Sequence, residues 1–127
     1  MIINGQPDIQ KAEALKKMAE ITMQRLQEID PLKYPSNTLV DYYDVIHKLL
    51  EGAAAKQGIK IKAEGAHQEL IDFISKQYAF DEQTRLFLQQ MREYRNRISY
   101  EGFMIPKNYI LLNEKKIKEI IKKLFTL

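Results

Sequence analysis

The chain has 127 residues, no cysteine, and 20 basic against 17 acidic side chains, for a formal charge of +3. Without cysteine there is no disulfide scaffold, thiol chemistry or cysteine-based zinc site, and the mild positive charge is far from the density of a dedicated nucleic-acid-binding arm. The length suits one hydrophobic core, no apolar run approaches the ~18 residues of a membrane span, and the opening MIINGQPDIQ lacks the pattern of a signal peptide, so the expectation is a single cytoplasmic domain over 1–127.

Apolar residues recur at three- and four-residue spacing almost throughout, which predicts an all-α protein, an up-and-down bundle of four to five helices. The first helix opens near Pro7, a residue tolerated at a first helical position, and ends at Asp30-Pro31. It should turn Leu15, Met18, Leu26 and Ile29 inward. A second helix, capped by Ser36 or Asn37, carries Leu39, Tyr43, Ile46, Leu50 and Ala53 inward and closes near Gly58. Ala53-Ala54-Ala55 is small enough for another helix to approach closely, or simply favours helix.

Residues 59–65 read as a loop, because the Ile-Lys-Ile-Lys alternation is too short to predict a strand. A third helix spans Ala66 to about Tyr78 and buries Leu70, Phe73 and Ile74. Asp81 caps a fourth, which aligns Phe87, Met91, Tyr94 and Ile98 on its core side. Tyr100 to Leu112 read as a connector with one short turn after Pro106, packed down over the bundle end or contributing to a subunit interface. Asn113 then caps a fifth helix, whose Lys115, Lys116, Lys118, Lys122 and Lys123 form a solvated face or, alternatively, a basic patch.

Opposite the core side of the fourth helix lie Arg85, Gln89, Arg92, Asn96 and Ser99, with Arg95 at the edge. A plain solvated face carries Lys and Glu more often. Guanidinium, amide and hydroxyl groups at this spacing donate hydrogen bonds in fixed geometry, which suits phosphate, carboxylate or an identical face on a second subunit.

The elements Arg95-Asn96-x-x-x-Tyr100 at a helix end resemble the signature of HEPN domains, in which Arg is followed by Asn or another polar residue and a His completes the motif where this chain has Tyr100. The capped second helix with Tyr42-Tyr43 and His47, then Gly58 and Gly65-Ala66-His67, agrees in outline. The resemblance implies a HEPN-like helical bundle that forms a homodimer, with motif helices facing across a shared cleft. It also implies a phosphate-binding role for Arg95, with Asn96 orienting the phosphate or the neighbouring side chains; Arg92 and Ser99, on the same polar face, read as further phosphate- or RNA-binding residues. Many HEPN domains are metal-independent ribonucleases of toxin-antitoxin, antiviral or RNA-processing systems, and others act beside a minimal nucleotidyltransferase.

The function expected is therefore binding of RNA or nucleotide phosphate at a dimer cleft, as one half of a toxin-antitoxin-type pair with such a nucleotidyltransferase. A non-enzymatic interaction or dimerisation module is the alternative. A ribonuclease with Arg95, Asn96 and Tyr100 as catalytic residues is a third reading, set against the high ordinary pKa of tyrosine. No cofactor is expected. His47 and His67 lie on different helices without metal-ligand spacing, Asp44 is a neighbour of His47 at i−3, and His67 reads as a surface or capping residue. No glycine-rich phosphate loop or nucleophilic triad is present.

Overall fold

A computed structural model describes residues 2–61 and 65–127. In chain order these form β1 (Ile2–Asn4), α1 (Ile9–Gln27), α2 (Pro35–Lys56), β2 (Ile59–Ile61), α3 (Ala66–Gln77), α4 (Glu82–Glu101) and α5 (Lys107–Leu124). The helical bundle is as expected, but the first residues of the loop assigned to 59–65 are not a loop: β2 pairs antiparallel with β1, Ile3 opposite Lys60, while residues 62–64 of that assignment lie outside the described residues. A strand this short is set by its distant partner, which local alternation does not reveal.

Asp8 opens α1 by accepting from the Lys11 N–H at 3.0 Å. The buried face of α1 is Ala12, Ala19, Thr22 and Leu26, while Met18 and Ile29 are exposed, contrary to the pattern expected. The reason is close packing. Gly52 of α2 approaches so near that a Cβ there would lie 3.5 Å from the Ala12 carbonyl oxygen. Small residues fill this seam and the long side chains turn outward.

Helix α2 begins with Pro35 in its first turn after Tyr34, so neither Ser36 nor Asn37 is its cap. Ser36 is instead used across the fold: its Oγ accepts from the Ile105 N–H at 3.0 Å. All five residues expected inward on α2 are buried. Past its end, Gly58 has φ +71°, and a Cβ there would sit 2.2 Å from the Gly5 carbonyl oxygen. Only glycine fits where the chain crosses the end of β1.

The order of the helices departs from a simple up-and-down bundle. His47 stacks on His67, and Gln57 hydrogen-bonds Gln77, so contacts advance in the same direction along α2 and α3. The two helices run parallel. Helix α4 then runs antiparallel to α3, with Arg85 donating to Asp72 and the later Gln89 donating to the carbonyl of the earlier Gln68. Asp81 caps α4 as expected, accepting from the Thr84 N–H at 2.7 Å.

The connector is shorter than expected. Helix α5 starts at Lys107, with Asn113 inside it donating to the Tyr109 carbonyl at 2.8 Å rather than capping. Pro106 supplies the start that Asn113 was expected to give. Tyr42 ties α5 to α2 through a 2.9 Å bond from its hydroxyl to Glu114.

Tyr42, Tyr43, Ile46, Leu50, Ile71, Ile74, Leu88, Met91 and Ile117 fill the main core, each apolar side chain contributing roughly 1.5–3 kcal/mol. A second cluster joins Leu39, Ile105 and Ile110 to Tyr94, Ile98 and Phe103. Phe103 thus covers the end of its own bundle. Among the described residues no helix is long and apolar enough to cross a membrane.

Candidate functional site

Helix α4 places Arg92, Arg95, Asn96 and Ser99 at i, i+3, i+4 and i+7, along one stripe. Upstream, Arg85 and Gln89 of the same stripe lie against α3, on Asp72 and the Gln68 carbonyl. Because α3 and α4 are antiparallel, Arg92 and Arg95 fall beside the start of α3, where His67 occupies the first turn. Arg92, Arg95 and Asn96 are half-buried, whereas Ser99 is exposed. Tyr100 is 79 % exposed, and among the described residues no hydrogen bond or ring contact holds it. The structure thus gathers Arg92, Arg95 and Asn96 and leaves Tyr100 in solvent.

The pairing of the arginines divides them. Arg25 meets Asp41, Arg85 meets Asp72 and Glu82, and Arg97 meets Glu101 while lying over the Phe103 ring. Arg92 donates to the Gln89 amide at 2.8 Å, and Arg95 makes a weak 3.4 Å contact to Asn96. Among the described residues neither has a carboxylate within ion-pair distance.

Facing these two guanidinium groups are residues from α2 and α3. The His47 and His67 rings stack with centroids 3.8 Å apart and planes at 30°. Tyr43 stacks on the other side of His47 at 6.2 Å. His47 Nδ1 lies 3.1 Å from Glu51 Oε1. Asp44, the neighbour expected for His47, pairs with Lys48 instead.

Burial is the main cause that lowers the His47 pKa to about 4; the adjacent His67 and the charges of Lys48 and Arg95 lower it further, against Asp44. His67 is also lowered, by burial first and then by Arg95 and Arg92, with Glu51 opposing. Both imidazoles are therefore neutral at pH 7. The contact between His47 Nδ1 and a carboxylate then places the single proton on Nδ1 and leaves Nε2 as the free lone pair. Burial likewise pushes the Tyr43 phenol up to about 12, although Arg92 and Arg95 pull it down. Its hydroxyl is fully buried, with no hydrogen-bond partner among the described residues.

His47, Glu51 and His67 also line a cavity of about 460 Å³, whose rim carries Asp8, Lys11 and Lys60. Arg92, Arg95 and Asn96 do not line it. Among the described residues no three His, Asp or Glu side chains are grouped to hold a metal ion.

The sequence leaves open whether His47 or His67 reaches Arg95; the structure brings both near it, together with Glu51, which sequence reasoning missed although it stands at i+4 from His47. Comparison of the chain with protein-family models, with curated proteins and with solved structures gave no match.

Proposed function

We propose that Arg92, Arg95 and Asn96 form a phosphate-binding site for RNA or a nucleotide, as the HEPN signature implies. The observation that carries the reading is that these two arginines, alone among the five of the chain, have no carboxylate partner within the described residues: the neutral His47 and His67 stand near them, and Glu51 is engaged with His47 rather than with either guanidinium group. A half-buried guanidinium pair without a counter-ion favours an external anion that can accept two parallel N–H bonds. Asn96, beside Arg95, supplies an amide donor to the same anion. In this reading the protein acts as a cytoplasmic homodimer whose α4 helices face one another, and a minimal nucleotidyltransferase is its partner in a toxin-antitoxin-type pair.

The test is binding of a labelled RNA oligomer across a salt series. Contacts to phosphate release counter-ions, so the affinity should fall steeply with salt. Arg95→Ala should weaken binding and reduce the slope by about one. Binding unchanged by Arg95→Ala would remove the reading.

A specific observation favours a second reading, a protein-interaction or dimerisation module. Tyr100, Met104, Leu111 and Leu112 are 79 %, 78 %, 57 % and 82 % exposed, around the junction of α4 and α5. Such side chains are enriched in subunit interfaces. Leu112→Glu would disrupt an assembly built on them, read by sedimentation, and leave RNA binding by a monomer intact.

A further inference from the structure

The strongest feature not absorbed by that reading is the histidine stack. Two imidazoles in face contact, from helices that meet only through tertiary packing, border both a cavity and the unpaired arginines. Their stacking with centroids 3.8 Å apart allows one proton between them far more easily than two, since two cations at that distance repel.

We propose that His67 is a further ligand of the phosphate, taking up a proton when a phosphodiester docks on Arg92 and Arg95 and donating it in a hydrogen bond to a phosphate oxygen. The inference rests on the phosphate-binding reading and extends it to a residue outside α4.

Charge balance assigns the proton. After burial, the forces that keep His67 neutral are the fields of Arg95 and Arg92, and the force that favours its charged form is Glu51. An anion seated on the two guanidinium groups cancels the first and leaves the second. His67 is also the less enclosed member of the stack, in the first turn of α3, while His47 is held between Tyr43 and His67 with Glu51 at its Nδ1. The proton therefore goes to His67, and neutral His47 remains stacked against it.

Among the described residues, the other charged groups around the pair are Asp44, Lys48 and Glu51 on α2, Arg92 and Arg95 on α4, and Asp8, Lys11 and Lys60 around the cavity, with Glu69 two residues along α3 from His67. Tyr43 is a further titratable neighbour. With its phenol pushed up to about 12, it keeps its proton throughout the range in which histidine titrates.

The experiment is calorimetric binding of a short RNA oligomer with hydroxyl ends, chosen because its phosphodiesters do not themselves titrate near neutrality. Measurements at about pH 5.5 and about pH 7.5, in buffers of different ionisation enthalpy, report proton uptake directly. Wild type should take up close to one proton at the higher pH and bind more than about tenfold tighter at the lower. His67→Gln should abolish both effects while retaining salt-dependent binding through the arginines, and His47→Gln should retain uptake.

Ring NMR of the wild-type protein gives a readout independent of any variant, because only two histidines need assignment. The His67 resonances should titrate at higher pH in the presence of the oligomer than in its absence. Salt-dependent binding without proton uptake, or uptake that survives in His67→Gln, would overturn the inference and leave the arginine site standing. No binding at either pH would instead remove the phosphate reading itself.

Discussion

The backbone N–H of Ile105 donates to the Ser36 hydroxyl oxygen at 3.0 Å, joining the segment after α4 to the first turn of α2. Ile105 is buried in the cluster with Leu39 and Ile110, so this N–H has little access to water. Ser36→Ala should cost about 1–2 kcal/mol, the penalty for stranding a buried donor. Urea denaturation measures it, and hydrogen exchange should show the loss concentrated at residues 103–106.

Stability should fall with acid earlier than carboxylate titration alone would cause. The folded-state pKa of His47 is lowered to about 4 from an ordinary 6.5, so the unfolded chain binds its proton first. The contribution is fully present above pH 6.5 and is lost as pH falls toward 4. Between about pH 7.5 and about pH 5 the loss should be near 2 kcal/mol. His47→Gln should flatten that part of the stability profile; an unchanged slope in the variant would show that His47 is not its source.

Tyr43→Phe should stabilise the protein. The Tyr43 hydroxyl is buried without a partner among the described residues, and its removal leaves the ring packed against His47. A gain of about 1 kcal/mol is expected from relieving an unsatisfied polar group. A thermal melt that moved downward would mean that the hydroxyl has a partner in solution.

Gly58→Ala should cost at least about 2 kcal/mol, from the left-handed backbone and the collision with Gly5 together. Gly65→Ala is the comparison, because Gly65 also has positive φ but its Cβ would meet nothing within 4 Å. The difference between the two measured losses isolates the steric part.

Helices α3 and α4 were legible because Asp81 and the stripe Leu70, Ile74, Phe87 and Met91 obey helical spacing, and large apolar residues do face the core there. On α1 the same logic misplaced Met18, since a close seam selects alanine and glycine and the sequence does not say which helix approaches. The start of α5 was hidden by the apolar run from Phe103 to Leu112, within which Ile110 is buried but Leu111 and Leu112 are not. Of the candidate site, Arg95 and Asn96 could be read from the chain. Their histidine neighbours could not, because the parallel alignment of α2 with α3 depends on the pairing of β1 with β2 and on packing at long range.

Helices α1, α3, α4 and α5 all approach α2, and among the described residues the only outer pair whose backbones come close is α3 with α4. The architecture is that of a mast with separate stays. Opening α1 leaves the remaining supports in place, whereas a break in the middle of α2 releases every other helix together and takes His47, Tyr43 and Glu51 away from the α4 arginines in the same event.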